Sequence, residues 1–110
     1  MPKGRVAEES AVAFYGGVLG LERVAKPTAL SKRGGLWFEK AELRVHLGVE
    51  EPFHPALKAH PAFEVGRLEA MCEKLASHEI AFSHGREIPG IRRIYVSNPF
   101  GNRIEILQIL

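Results

Sequence analysis

Two side chains that could bind a metal ion, His46 and Glu105, occupy corresponding places in two similar stretches of the sequence. When Trp37 is aligned with Tyr95 and the first stretch is allowed one fewer turn residue, His46 falls on Glu105. An imidazole nitrogen and a carboxylate oxygen are both ligands of divalent metals. We therefore interpret the chain as two copies of one unit, each with a potential metal ligand. A chance match between two short hairpins is the alternative interpretation.

Both residues lie on predicted β-hairpins that must hold them in place. Residues 36–49 contain an aromatic strand, a polar turn and a returning strand, and residues 95–107 are divided by a turn at Asn98-Pro-Phe-Gly101. Successive side chains of a strand point to opposite faces of its sheet. The sequence neighbours of His46 and of Glu105 are apolar on both sides. Each strand is therefore expected to turn its apolar face to the helices and its polar residue to the other side.

Two amphipathic helices are predicted between the strands. The first covers residues 7–19 with Gly20 as its C-terminal cap, and the second carries an apolar stripe at helical spacing from Leu68 to Leu75. The single cysteine, Cys72, lies on that stripe and is interpreted as a buried, inert thiol, with a nucleophile as the alternative. Further strands are predicted at residues 21–26, 60–65 and 80–83, and a polar loop is predicted at residues 28–35.

The composition excludes several other classes of protein. A chain of 110 residues with 45% hydrophobic and 25% charged residues is of ordinary globular composition and suits one domain. A net charge of +2 with scattered basic residues argues against a nucleic-acid partner. No apolar run approaches the roughly 18 residues that span a bilayer, and no signal peptide is recognisable. We expect a cytoplasmic protein without a membrane partner.

The order of the elements places the chain in the α+β class, as a single domain of two modules. Module one covers about residues 6–50, a proline-containing linker covers 51–59, and module two covers 60–110. Module two is predicted as strand, helix, strand, strand, strand, whereas module one begins with its helix. By the repeat, a strand should precede residue 7, and its absence removes the counterpart of His60.

The paired βαβββ modules and two sequence segments resemble the vicinal oxygen chelate superfamily, which includes glyoxalase I, bleomycin-resistance proteins and extradiol dioxygenases. The segments are Phe14-Tyr15-x-x-Val18-Leu19-Gly20-Leu21 and Asn98-Pro-Phe-Gly-Asn-Arg-Ile-Glu105. The resemblance covers residues 7–107 and implies a glyoxalase-like half-barrel sheet from which the first strand of module one is missing. A start site placed too late, a truncated chain, or a strand borrowed from another chain would explain that absence.

The resemblance also implies a metal site, because metal-using members take their ligands from the first and last strands of each module. Matched residue by residue, the ligands here are His46, His60 and Glu105, and Glu105 is also the implied catalytic residue. This donor set suits a divalent ion such as Fe(II), Mn, Ni, Co or Zn, with open positions for substrate oxygens. Such an ion acts as a Lewis acid that stabilises an enediolate or orients bound oxygen. Alternatively, His60 is exposed beside Pro61, and His46 hydrogen-bonds Glu105 without a metal.

Three further residues are candidates for contact with a substrate. Arg44 and Arg103 each lie two residues before a candidate ligand on the same strand face, where a guanidinium could anchor an anionic substrate through two hydrogen bonds. Trp37 could line the cavity. Solvated arginines at strand ends and core packing of the tryptophan are the alternatives.

The sequence thus predicts a glyoxalase-family protein that acts on a small oxygen-rich substrate as a metal-dependent lyase/isomerase or dioxygenase. The rival prediction is a metal-free ligand-binding protein of the bleomycin-resistance type. A homodimer is expected in either case, because a module without its first strand exposes a sheet edge, and bare edges recruit partners.

Overall fold

The computed structural model describes residues 1–110, which form two compact units, Met1–Pro55 and Ala56–Leu110. Each unit contains a helix and an antiparallel hairpin within a sheet, so the chain is of the α+β class predicted from the sequence. Neither α-helix has the length and apolar character needed to cross a membrane.

The N-terminal unit has a three-stranded antiparallel sheet in the order β1-β2-β3. Its elements are α1 (Arg5–Ala11), a π-helical segment (Val12–Val18), β1 (Glu22–Val24), a 3-10 helix (Thr28–Arg33), β2 (Leu36–Lys40) and β3 (Leu43–Leu47). The apolar face of the helix packs on this sheet, and the ring of Tyr15 lies 5.5 Å from that of Phe38. Both side chains are buried, so they belong to the core of this unit.

The predicted first helix is present, but its second half has π-helical rather than α-helical hydrogen bonding. Helical residues run from Arg5 to Val18, and Gly20 then ends the helix with a positive φ of 76°. The π-helical segment includes Gly16 and Gly17, whose low helix propensity lowers the cost of widening the turn. The apolar periodicity predicted a helix here, and periodicity alone does not distinguish the two helical forms.

Residues 28–35 were predicted as a loop, and this prediction was wrong for the first six of them. They form a 3-10 helix from Thr28 to Arg33. Pro27 precedes it with a φ of −53°, and its carbonyl accepts the N–H of Leu30. The proline ring therefore sets the chain direction for a tight turn. The strand predicted at residues 21–26 is shorter than expected and covers only β1.

Gly35 joins the 3-10 helix to β2 at a point of close backbone approach. Its φ is +83°, and a Cβ at this position would collide with the carbonyl oxygen of Leu47. Only glycine fits both constraints. This approach lets Leu36 pair with Leu47, and the pairing fixes the register of the hairpin that carries His46.

The C-terminal unit has a four-stranded sheet in the order β4-β7-β6-β5. Its elements are β4 (Ala62–Glu64), α2 (Leu68–Ser77), β5 (Phe82–His84), β6 (Ile91–Ser97) and β7 (Arg103–Ile109). The strand β4 runs parallel to β7, and the other pairs are antiparallel. The side chain of Gln108 accepts the N–H of Leu68 at 2.8 Å, which satisfies one free donor at the start of α2.

The predicted hairpins share one register, as the sequence alignment requires. Trp37 pairs with His46 across β2 and β3, and Tyr95 pairs with Glu105 across β6 and β7. Each polar residue therefore lies opposite an aromatic residue on one face of its own sheet.

In residues 1–110 the first element is α1, and no strand comes before it. Met1 instead lies beside the chain that follows β3. Its ammonium donates to the carbonyl of Gly48 at 2.6 Å, and its carbonyl accepts the N–H of Glu50 at 3.0 Å. A single residue thus makes parallel-type contacts where β4 provides a strand in the other unit.

Candidate functional site

The sheet of the C-terminal unit separates an apolar face from a polar one. The apolar face is buried and consists of Ile94, Val96, Ile104 and Ile106. On the opposite face, the strand registers align Ala62, Glu105, Tyr95 and Ser83 in one row across the four strands. The alternation predicted from the sequence is therefore present, and the candidate site lies on the polar face.

His60 and Glu105 are brought together on this face. His60 Nε2 lies 3.0 Å from Glu105 Oε1, and His60 Nδ1 lies 2.8 Å from the carbonyl oxygen of Lys58. Because a carbonyl oxygen can only accept, Nδ1 must carry a hydrogen and donate it. The Nε2 atom then shares a second proton with the carboxylate, or presents a lone pair once that proton is lost. A backbone carbonyl on the distal nitrogen is the usual way in which a metal-binding histidine is oriented.

The strand prediction for residues 60–65 was too long, because β4 begins at Ala62. His60 precedes the strand, where its ring turns back to the Lys58 carbonyl. The carbonyl of Pro61 still accepts the N–H of Glu105 at 3.0 Å, so the backbone before β4 remains tied to β7. This bond holds the His60 backbone beside Glu105.

Arg93 supplies a second cation to the buried Glu105. Its Nη1 lies 3.6 Å from Glu105 Oε1 and donates to the Tyr95 hydroxyl at 2.9 Å, and its Nε donates to the Arg86 carbonyl at 3.3 Å. The Glu105 side chain is only 11% exposed. Burying a carboxylate without a partner would cost several kcal/mol, so its partners are needed for stability. The sequence predicted that some partner was required, and the structure provides an imidazole and a guanidinium.

Two hydrogen bonds raise the pKa of His60 above its usual value of 6.5. The larger contribution comes from the Lys58 carbonyl, and the smaller one comes from the Glu105 carboxylate. Both stabilise the doubly protonated ring, whereas partial burial and the positive charge of Arg103 oppose it. In the metal-free protein the Lys58 carbonyl and the Glu105 carboxylate therefore both favour the protonated form of His60.

An NMR titration of the metal-free protein should show this raised His60 pKa directly. Because the folded state binds the proton more tightly than the unfolded chain, the stabilisation is complete below the unfolded value near 6.5 and is lost as the pH rises through the folded pKa. The free energy of unfolding should decrease with rising pH across that window. Glu105→Gln should lower the His60 pKa, and an unchanged pKa in this variant would contradict the pairing.

The Tyr95 ring contacts both His60 and Arg103. The His60 ring meets it edge-on, with centroids 5.5 Å apart and an interplanar angle of 88°. Arg103 also contacts this ring, with its Cζ atom 3.9 Å from the Tyr95 ring centroid. That distance is short enough for a cation–π contact. Tyr95 thus connects the His60–Glu105 pair with a second cation on the same face.

The turn between β6 and β7 is held by a buried asparagine side chain. Asn98 Oδ1 accepts the N–H groups of Phe100 and Asn102, each at 2.9 Å, and the Asn98 N–H donates to the Asn102 carbonyl at 2.9 Å. Gly101 completes the turn with a φ of +89°. These bonds set where β7 begins, and they therefore position Arg103 and Glu105.

The remaining predicted residues lie in the N-terminal unit. The imidazole of the exposed His46 stacks on Trp37, with centroids 3.7 Å apart and an interplanar angle of 7°. Arg44 lies 3.1 Å from Glu39 and is 66% exposed. Within the structure, no group of three or more His, Cys, Asp and Glu side chains is arranged to hold a metal ion. His60 and Glu105 are thus paired, and the role of His46 as a ligand stays a prediction.

Sequence reasoning missed two contributors to this site. Arg93 carries no motif, and its only signal is its position two residues before Tyr95, on the same strand face. The Lys58 carbonyl that orients His60 is a backbone group and leaves no signal in residue types. Both became evident only from the fold.

Comparisons with known proteins are consistent with this architecture. The glyoxalase/bleomycin resistance protein/dioxygenase superfamily profile matches residues 8–106. A solved structure of a protein assigned to the glyoxalase family, from Bacillus anthracis, is 43% identical, with a TM-score of 0.94 over 100% of this chain and 88% of that one. A comparison with curated protein sequences finds no match.

Two more distant structures share the fold. An antibiotic-binding protein from a Streptomyces species is 23% identical, with a TM-score of 0.77 over 100% of this chain and 91% of its own. A lactoylglutathione lyase from Agrobacterium tumefaciens is 21% identical, with a TM-score of 0.71 over 91% and 84%. At this identity the likeness concerns the fold alone, and it includes both a binding protein and an enzyme.

Proposed function

Because this chain belongs to the glyoxalase/bleomycin resistance protein/dioxygenase superfamily, we propose that it is a divalent-metal-dependent enzyme, a lyase/isomerase or a dioxygenase, acting on a small oxygen-rich substrate. The observation that carries the proposal is the 3.0 Å approach of His60 Nε2 to Glu105 Oε1 on a polar sheet face. A nitrogen and a carboxylate oxygen that share a proton can instead share a divalent cation. Fe, Mn, Ni, Co and Zn all accept this donor pair.

The donor groups fit such an ion in two respects. The Lys58 carbonyl holds Nδ1, so the Nε2 lone pair of His60 is directed at the carboxylate once the shared proton is lost. Two protein ligands leave several coordination positions open, and His46 is the predicted third ligand. When bound, the metal would supply Lewis-acid stabilisation of negative charge on substrate oxygens.

The residues of the chain itself would bind and orient the substrate and move its proton. Glu105 is the carboxylate on this face, and we assign it the proton transfer that isomerase or lyase chemistry requires. Arg93 holds the carboxylate in place through its contact at 3.6 Å and is a positioning residue. The Tyr95 ring packs against His60 and would give the substrate an apolar surface.

A metal-free ligand-binding protein of the bleomycin-resistance type is the second candidate. One observation favours it, because the charge of Glu105 is already met by His60 and by Arg93. A guanidinium this close to the carboxylate would repel a divalent cation. In that case the pair on the sheet face is structural, and a ligand binds beside it.

Metal analysis of the protein purified without chelator distinguishes the two candidates. The enzyme proposal predicts about one equivalent of a divalent metal per chain, restored by reconstitution after chelator treatment. Less than about a tenth of an equivalent, with no gain on reconstitution, would favour the binding protein. Reconstitution with each of the five metals in turn identifies the ion that is retained.

A further inference from the structure

Arg103 is a partly buried cation without an anionic partner in the structure. The four side-chain ion pairs involve Arg5, Arg44, His60 and Arg93, and none includes Arg103. Its guanidinium is held instead on the Tyr95 ring at 3.9 Å. Stacking uses the face of the planar group and leaves the N–H donors at its edge available. Arg103 is therefore oriented by the protein while its hydrogen-bonding capacity remains unused.

The equivalent arginine of the N-terminal unit differs in this respect. Arg44 occupies the same position relative to His46 that Arg103 occupies relative to Glu105. It is paired with Glu39 at 3.1 Å, and its side chain is 66% exposed. Its charge is thus already met, and the geometry distinguishes two residues that the sequence treated alike.

A groove of about 680 Å³ lies beside the Arg103 guanidinium. Tyr95 and Arg103 line it together with the hydroxyl-bearing Ser83 and Ser97, which the strand registers place opposite them on the same face. Leu57, which is 82% exposed, adds an apolar wall. The volume suits a small molecule, and the walls combine one cation with hydroxyl and apolar surface.

We propose that Arg103 binds the oxyanion of a small acid, a carboxylate or a phosphoryl group, whose apolar part lies in this groove against Leu57. A guanidinium edge matches such groups through two parallel hydrogen bonds, and the Ser83 and Ser97 hydroxyls provide further donors. The identification of this acid as the substrate rests on the proposed function. Tyr95 connects the two, because it lines the groove and also contacts His60 of the His60–Glu105 pair. The binding of the oxyanion itself requires no metal.

The proposal is tested by titrating the chelator-treated protein with two acids, benzoate and phenylphosphonate, and with benzamide as a neutral isostere of benzoate. Calorimetry measures the affinity, and NMR follows the Arg103 Nε–Hε signal. Arg103→Met should weaken binding of the acid at least about tenfold, because a charge-assisted bidentate contact is lost while an unbranched, flexible side chain is kept. Arg92→Met, which replaces an exposed arginine of β6 in the same unit, is the control and should change affinity less than about twofold. Arg103→Lys keeps the charge without the planar fork and should bind with intermediate affinity.

The tighter of the two acids identifies the natural group as a carboxylate or a phosphoryl. Equal binding of benzamide and benzoate, equal affinity in Arg103→Met and the wild type, or no binding of either acid at about 10 mM would overturn the proposal. Measuring the metal content distinguishes a failure of the oxyanion proposal from a failure of the proposed function. Arg103→Met should retain the metal content of the wild type, and a wild-type protein without metal should still bind the acid.

Discussion

Replacing His60 with alanine should lower the divalent metal bound by the reconstituted protein from about one equivalent to less than about a tenth. The expected effect is large because this change removes one of two donors that the structure brings together, at 3.0 Å. It also leaves Glu105 with Arg93 as its sole charged partner, at 3.6 Å. A carboxylate paired with a guanidinium alone is a poor ligand for a second cation.

Two matched variants make this measurement decisive. His84→Ala removes an exposed histidine of β5 in the same unit, whose ring contacts Phe82, and should leave the metal content unchanged. His46→Ala tests the predicted third ligand, and its loss should weaken metal affinity by about tenfold or more if that ligand is used. Retention of a full equivalent by His60→Ala would exclude His60 as a ligand.

Much of this candidate site follows from strand alternation, which is a local property of the chain. Once residues 103–109 are known to form a strand, the side chains of Ile104 and Ile106 must share one face and that of Glu105 must lie on the other. The repeat then relates His46 to Glu105, and the structure shows equivalent cross-strand partners for both, Trp37 and Tyr95. These relations require only sequence spacing and one register.

Contacts between strands distant in sequence could not be predicted in the same way. His60 reaches Glu105 across 45 residues because β4 joins the sheet beside β7 rather than beside β5. The different roles of the two arginines likewise depend on contacts between side chains across the sheet. Arg93 reaches Glu105, whereas Arg103 stacks on Tyr95. Sequence spacing made Arg103 a candidate for substrate contact but did not indicate that Arg93 would pair with Glu105. Distances across the sheet decide which cation is available to a ligand.

Helix geometry was also beyond the sequence pattern. An apolar stripe is compatible with an α-helix and with a locally widened turn, and only the hydrogen bonds of residues 12–18 distinguish them. The 3-10 helix at residues 28–33 is similar, because a polar composition with a preceding proline is typical of loops as well as of tight helical turns.

Glu105→Ala should destabilise the metal-free protein by about 2–4 kcal/mol, because the loss of one partner from a largely buried ion-pair network leaves the remaining charges uncompensated. Arg93 is 18% exposed and His60 is 23% exposed, so solvent replaces the lost carboxylate only in part. Urea denaturation of chelator-treated protein near pH 6 measures the change while His60 is largely protonated.

The control for this experiment is Glu64→Ala, which removes a carboxylate from the adjacent strand β4. Glu64 is exposed and makes no ion pair, so its replacement should change the free energy of unfolding by less than about 0.5 kcal/mol. Glu105→Gln keeps the side-chain volume and a hydrogen-bond acceptor. Its decrease in the free energy of unfolding should lie between those of Glu105→Ala and Glu64→Ala. If Glu105→Ala is as stable as Glu64→Ala, the carboxylate contributes nothing to the metal-free fold. Its burial beside two cations would then be maintained for ligand or metal binding alone.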